Sequence, residues 1–118
     1  MTAGEIAALI GCGRYDLSWE TACQADIATM LATEGVAFLR EHRLGPHARI
    51  DFLVEGGIGV EVKMNSAAPA AIARQLARYA AYDAVSALIL VTNRAVGWEA
   101  CEIGGKPAWC VSLGKAWL

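Results

Sequence analysis

Apolar residues recur along this chain with two different periods, and each period predicts a different kind of secondary structure. Thr2 and Glu5 form a capping-box pattern ahead of apolar residues at helical spacing, which predicts a first helix near the N-terminus. Ser18 is a suitable N-cap for a second helix over residues 18–33, which Gly35 ends. Two helices are therefore expected before the first strand.

The middle of the chain changes to strand patterns. Residues 36–42 predict a first strand. Residues 49–54 and 58–64 predict the two arms of a β-hairpin with Gly56 and Gly57 at its tip.

A helix and a buried strand are expected after the hairpin. Pro69 occupies the first turn of a helix that runs to about Tyr82. Residues 87–92 are almost all apolar, which is typical of a strand buried on both faces, and residues 98–103 and 109–113 predict two further strands. The element order αα-βββ-α-β-ββ predicts an α/β fold in which helices flank a mixed β-sheet.

The length and composition indicate one domain with a large apolar surface. The 118 residues suit a single domain, residues 1–118, in which 56% of the residues are hydrophobic and 19% are charged. No apolar run reaches the roughly 18 residues that a membrane span needs, and no basic segment precedes an apolar stretch at the N-terminus. We therefore expect no membrane contact, a cytoplasmic location in a prokaryotic or phage-infected cell, and a homodimer whose interface includes residues 97–118.

The chain has four cysteines: Cys12, Cys23, Cys101 and Cys110. They form no C-x-x-C pair and have no zinc-like spacing. We expect buried free thiols in a reducing compartment, with a four-cysteine iron–sulfur cluster as the alternative.

Four tryptophans are many for so small a domain: Trp19, Trp98, Trp109 and Trp117. Packing in the core or at a dimer interface is the expected role of these rings. Stacking on nucleobases is the alternative.

Because the chain carries a small net negative charge, any binding to nucleic acid must come from local clusters of basic residues. The net charge of −2 gives no general attraction to a polyanion. One basic cluster surrounds the Gly45-Pro46 turn: Arg40, His42, Arg43, His47 and Arg49. Contact with phosphate groups and a solvated loop are the two interpretations of this cluster.

Three charged residues interrupt the apolar hairpin: Asp51, Glu61 and Lys63. Unpaired charge is costly to bury, so such groups are tolerated only when they are paired, hydrated or bound to a metal. A three-residue loop over residues 55–57 would set Asp51 opposite Glu61, with Cβ atoms about 4.5–5.5 Å apart, whereas a two-residue loop would turn Asp51 away. Because like charges at that distance repel, the hairpin predicts a divalent cation between the two carboxylates.

The oxygen-rich side chains of this hairpin suit Mg²⁺ or Mn²⁺, with water completing the octahedron. Such a metal would polarise a phosphate group and lower the pKa of the attacking water. Lys63 would orient that water or offset charge on the phosphoryl oxygens. The plain alternative is a surface hairpin with ordinary exposed charges and a Lys63–Glu61 ion pair.

With this hairpin and its Glu61-Val62-Lys63 run, the chain resembles the PD-(D/E)XK nuclease superfamily over residues 18–92. The resemblance implies a restriction-endonuclease-like core, α-βββ-α-β, with residues 97–118 as a C-terminal β extension. It implies that Asp51, Glu61 and the Val62 carbonyl bind the metal.

The resemblance also implies roles for residues on the flanking helices. Lys63 would be the catalytic lysine, and Glu20, on the core-facing stripe of the second helix, would be a further acidic residue of the site. Gln75 and Tyr79 are similar to the Q-x-x-x-Y motif of RecB-like nucleases, and they share one helix face from which they would reach a phosphate group or the water shell of the metal. Arg74 and Arg78, on the adjacent stripe of the same helix, would neutralise the DNA backbone, and Arg49 and Arg43 of the basic cluster would contact it as well. The alternative is that Tyr79 is a half-buried core residue and that the arginines of this helix form a solvated face.

The expected function is that of a metal-dependent deoxyribonuclease that hydrolyses phosphodiester bonds. A Holliday-junction resolvase, acting as a dimer on branched DNA in recombination or DNA processing, is one form of this activity. Two alternatives stay open: a DNA-binding or assembly module that kept the fold without the chemistry, and a restriction- or toxin-type endonuclease subunit.

Overall fold

A computed structural model describes residues 1–64, 68–94 and 96–114. The order of the helices and strands matches the order predicted from the sequence. In chain order they are α1 (Ala3–Cys12), α2 (Glu20–Thr33), β1 (Phe38–Gly45), β2 (Ala48–Val54), β3 (Ile58–Lys63), α3 (Pro69–Ala80), β4 (Ala87–Thr92), β5 (Ala100–Ile103) and β6 (Lys106–Ser112).

The six strands form one mixed sheet in the order β1-β2-β3-β4-β6-β5. Strands β1, β2 and β3 pair antiparallel, and α3 then connects β3 to its parallel neighbour β4. Strand β6 runs parallel to β4, and the short edge strand β5 pairs antiparallel with β6. The predicted α/β class, with a mixed sheet flanked by helices, is confirmed.

Each face of the sheet carries its own apolar core. Helices α1 and α2 pack on one face, where the core includes Ile6, Ile27, Phe52, Val60 and Val91. Helix α3 packs on the other face, where the core includes Ile50, Leu76, Tyr79, Leu88 and Leu90. Because β4 lies between the two cores, all six of its residues are buried, as its unbroken apolar sequence predicted.

The starts of the first two helices test the capping predictions. Thr2 caps α1, and both hydrogen bonds of the capping box with Glu5 are formed. The N-cap predicted for α2 was wrong by one residue, because α2 is capped by Trp19 without a side-chain hydrogen bond. Ser18 instead donates its backbone N–H to Asp16 Oδ1 at 2.9 Å, which holds Ser18 in the preceding loop.

The first strand also differs from its predicted bounds. It spans Phe38–Gly45, whereas residues 36–42 were expected, because its pairing with β2 continues to the turn through Gly45 and Ala48. No helix within the described residues is long and apolar enough to cross a membrane.

The cysteine prediction is confirmed in part. None of the four cysteines forms a disulfide bond, and Cys23, on the inner side of α2, is buried in the core. Cys110 is half-buried, whereas Cys12 and Cys101 are exposed, so the expectation that every thiol is buried was wrong for these two. Both lie where an element borders solvent, at the end of α1 and on the edge strand β5.

Candidate active site

The β2–β3 hairpin closes with the loop length that the site requires. Val54 pairs with Ile58, which leaves residues 55–57 as a three-residue loop. Gly56 and Gly57 have φ angles of 86° and 80°, a conformation that glycine adopts without strain. The predicted loop is confirmed, and Asp51 and Glu61 are the next residues in this register after the last pair, Phe52 and Val60.

The side chains of strand β2 on either side of Asp51 point into different cores. In a regular strand residues two apart share a face, yet Ile50 lies in the α3-side core and Phe52 in the opposite core. The β1–β2 pairing skips Asp51 and the facing Glu41, which has a φ angle of 48° that is unusual for a residue with a side chain. Asp51 therefore lies at a twist in the sheet, where its polar groups are free to bond elsewhere.

Gly59 makes room for this twist. A Cβ atom at Gly59 would lie 2.4 Å from Ile50 Cδ1 and 3.3 Å from Leu88 Cδ2. Without a side chain at Gly59, Ile50 is able to turn into the α3-side core just before Asp51. The glycine thus contributes to the position of a charged residue on the neighbouring strand.

The carboxylates of Asp51 and Glu61 bridge the two strands beyond their last backbone pair. The N–H of Asp51 donates to Glu61 Oε1 at 3.1 Å. In return, the N–H of Val62 donates to Asp51 Oδ2 at 2.8 Å. These reciprocal bonds hold both carboxylates in one orientation between β2 and β3.

Burial makes this pair of carboxylates costly to ionise without a cation. Glu61 is only 2% exposed, and burial, followed by the negative charge of Asp51, raises its pKa to about 7. Burial also raises the pKa of Asp51. Lys63 partly offsets the charge, with Nζ at 3.4 Å from Glu61 Oε2 and a side chain that is 22% exposed.

Helix α3 contributes a buried hydroxyl to the same carboxylate. Tyr79, which is 3% exposed, has its hydroxyl 3.2 Å from Glu61 Oε2 and 2.9 Å from the Arg49 carbonyl oxygen. The amide nitrogen of Gln75 donates to this hydroxyl at 2.8 Å. Burial and the Glu61 charge raise the pKa of Tyr79, which therefore stays protonated as a donor. Tyr79 thus contacts Glu61 from the interior and Gln75 contacts Tyr79, whereas the motif had predicted contact of both side chains with substrate or the water shell of the metal.

Glu20 reaches the site from the first turn of α2. Its Oε1 accepts the N–H of Met64 at 3.0 Å, next to Lys63, and its charge contributes to the raised pKa of Asp51. Within the described ranges, no group of three or more His, Cys, Asp or Glu side chains is placed to hold a metal ion together. The carboxylate pair of Asp51 and Glu61 is therefore the centre of the site, and Glu20 lies at its border.

The predicted DNA-binding arginines are all exposed. Arg43 and Arg49 are directly opposite each other on β1 and β2, and Arg43 Nη1 donates to the Pro46 carbonyl at 3.1 Å. Like charges in a cross-strand pair are destabilising unless an anion lies nearby. Arg74 and Arg78 lie on the exposed side of α3.

One polar corner beside Lys63 was missed at the sequence level. Thr92 pairs with Lys63 in the parallel ladder, and its Oγ1 accepts the N–H of Arg94 at 3.2 Å. The Arg94 carbonyl in turn accepts the Ser112 hydroxyl at 3.1 Å. The sequence signal for this corner was the threonine at the end of an apolar strand. The carboxyl ends of parallel strands share one edge of a sheet, so this threonine comes to lie beside Lys63 at the end of β3.

These features define a site with two buried carboxylates, a lysine beside them and a hydrogen-bonded support from α3. Comparison of the chain with protein-family models, with curated proteins and with solved structures found no match. The case for a function therefore depends on the residues of the site and on the fold that positions them.

Proposed function

We propose that this protein is a divalent-metal-dependent deoxyribonuclease with a PD-(D/E)XK-type site. The observation that carries the proposal is the reciprocal pair of Asp51 and Glu61, two adjoining carboxylates with raised pKa values beside Lys63. Without a bound cation, the two carboxylates would add little to the stability of the fold, since each is costly to ionise beside the other.

The donor set suits Mg²⁺ or Mn²⁺. Asp51 and Glu61 would supply carboxylate oxygens, with the Val62 carbonyl as a further donor and Glu20 acting through water. Hard oxygen donors of this kind suit these cations, which also retain several water ligands. When bound, the cation would polarise the phosphate group and lower the pKa of the attacking water.

The remaining residues position the reactants. Lys63 is able to orient the attacking water and to offset charge that develops on the phosphoryl oxygens. Tyr79, held by Gln75, fixes the orientation of Glu61 and acts as a positioning residue. Arg43 and Arg49 form a cationic pair suited to the phosphates of the DNA backbone.

The order and pairing of the elements support the same proposal. Helix α2, strands β1 to β3, helix α3 and strand β4 follow the α-βββ-α-β order of a restriction-endonuclease-like core. In this assignment β5 and β6 are an addition that extends the sheet beyond β4.

The test is cleavage of plasmid, linear and four-way-junction DNA in Mg²⁺ and in EDTA. We expect cleavage in Mg²⁺ and none in EDTA. We expect Lys63→Ala and Asp51→Asn to abolish the cleavage in Mg²⁺. Glu55→Gln is the matched control, because Glu55 is an exposed carboxylate on the loop of the same hairpin. The absence of metal-dependent cleavage on every substrate, or full activity of Lys63→Ala, would contradict the proposal.

A further inference from the structure

Trp19 is strongly exposed although its residue type favours burial. Its side chain is 70% exposed, the highest value among the large apolar side chains of the described residues. Trp98 and Trp109 are half-buried and pack against the cores, as predicted, and Trp117 lies outside the described residues. Trp19 is therefore part of neither core, which leaves an interface with a second copy of the chain or contact with a ligand to explain its exposure.

That position is next to the candidate active site. Trp19 is the N-cap of α2 and directly precedes Glu20, whose carboxylate bonds to the backbone of Met64 beside Lys63. Adjacent Cα atoms are about 3.8 Å apart, so the backbone of Trp19 lies at the border of the site. Trp19 is thus an exposed aromatic residue that adjoins Glu20 at the border of the site.

The loop that presents Trp19 is held in place by hydrogen bonds. Asp26 Oδ2 accepts the N–H of Asp16 at 2.7 Å, and Asp16 Oδ1 accepts the N–H of Ser18 at 2.9 Å. The Trp19 carbonyl accepts the N–H of Cys23 in the first turn of α2. Because the backbone is already ordered on both sides, stacking of a ligand on the indole costs little additional conformational entropy.

We propose that Trp19 is a stacking platform for an unpaired nucleobase beside the scissile phosphate. The proposal rests on the proposed nuclease function and narrows its substrates to DNA that is single-stranded, frayed or branched at the cleavage site. In a duplex both faces of each base are covered by neighbours, whereas an unpaired base has a free face for an aromatic side chain. Lys63 and the arginine pair would hold the phosphates while Trp19 holds the base.

The test is binding of a single-stranded oligothymidylate of about 12 nucleotides, a length within the range of single-strand sites, and of a blunt duplex of equal length. Binding is measured in Ca²⁺ by fluorescence anisotropy of labelled DNA and by indole quenching. We expect Trp19→Ala to weaken single-strand binding about 5- to 150-fold, the range that loss of one stacked base gives, with duplex binding unchanged. Trp19→Phe is expected to keep most of the affinity and lose the quenching.

Leu39→Ala is the matched control, since Leu39 is another exposed apolar residue, 54% exposed, on the edge strand β1. Single-strand affinity unchanged in Trp19→Ala, an equal loss for both DNA forms, or a change only in the oligomeric state would overturn the proposal. If the wild type cleaves DNA and Trp19→Ala binds normally, the stacking proposal alone fails. If no DNA is cleaved, the nuclease function fails; quenching by the single strand that depends on Trp19 would then support stacking of an unpaired base on Trp19 but would overturn its place beside a scissile phosphate.

Discussion

At the scale of single residues, Glu61 is the most constrained group of the candidate site. One of its carboxylate oxygens accepts the Asp51 N–H, and the other lies within reach of the Tyr79 hydroxyl and the Lys63 ammonium. A buried carboxylate with so many partners keeps a single orientation, which is what a metal ligand requires. Its chemistry leads to two predictions.

The first concerns the dependence of stability on pH. The pKa of Glu61 rises from an ordinary value of 4.5 to about 7 in the folded protein, so the folded state binds more protons than the unfolded state between these values. In EDTA we expect the contribution of Glu61 to the free energy of unfolding to be highest below pH 4.5 and to fall as the pH rises to about 7. Urea unfolding at a series of pH values measures this dependence.

Two comparisons make the pH prediction specific. Glu61→Gln is expected to flatten the slope between pH 4.5 and 7, because the titrating group is removed. Mg²⁺ is expected to stabilise the wild type at pH 8 and much less at pH 5, where protons compete for the carboxylates. An equal effect of Mg²⁺ at both pH values would contradict the assignment.

The second prediction concerns Tyr79 as a positioning residue. Tyr79→Phe keeps the buried ring but removes the hydroxyl that lies between Glu61 and the Arg49 carbonyl, so we expect activity or metal affinity to fall about 10- to 100-fold. DNA affinity is expected to stay unchanged, since the hydroxyl is buried. Steady-state kinetics over a range of Mg²⁺ and DNA concentrations separates the two effects. A change confined to the KM for DNA would instead indicate direct contact with substrate.

At the scale of secondary-structure elements, the site depends on a twist that two strands share. Strand β2 turns from one core to the other at Asp51, and β1 accommodates the turn at Glu41. The absent side chain of Gly59 leaves the space that Ile50 occupies. The hairpin therefore contributes geometry as well as charged residues to the site.

Gly59→Ala tests this contribution. The added methyl group would lie 2.4 Å from Ile50 Cδ1, and overpacking of this kind costs about 1–3 kcal/mol of stability. Because Ile50 adjoins Asp51, we also expect weaker metal binding. Thermal melting and Mn²⁺ titration measure the two effects.

The matched rescue is the double variant with Ile50→Val, which deletes the Cδ1 atom that the added methyl group would meet. The double variant is expected to be more stable than Gly59→Ala alone, although Ile50→Val by itself costs about 0.5–1.5 kcal/mol. Simple addition of the two losses would show that Gly59 and Ile50 are not coupled.

At the scale of the whole molecule, the order of the elements was predictable because each carries a local signal. The six residues of β4 are all buried, and its bounds agree with the prediction. The length of the hairpin loop was also predictable, because the carboxylates of Asp51 and Glu61 required one register. Local pattern and site chemistry favoured the same structure in these segments.

The features that escaped prediction are those set by contacts distant in sequence. The parallel pairing of β4 with β6 joins strands with no local sequence signal for their partner. The sequence left the position of Tyr79 open between two alternatives, because its burial depends on contacts with Glu61 and Arg49 on other elements. The exposure of Trp19 has no local sequence signal either. Periodicity identifies which face of an element is apolar but not which neighbour lies against it.

The most direct measurement of the central claim is Mn²⁺ binding to the metal-free protein by titration calorimetry. We predict that the wild type binds Mn²⁺ saturably and that Asp51→Asn and Glu61→Gln each weaken this binding by more than about 10-fold. Loss of a residue that only supports a metal ligand costs roughly 10-fold in metal affinity. Glu55→Gln, at the tip of the same hairpin, is predicted to bind like the wild type. Binding that is equal in all four proteins, or no saturable binding to the wild type, would contradict a metal site at Asp51 and Glu61.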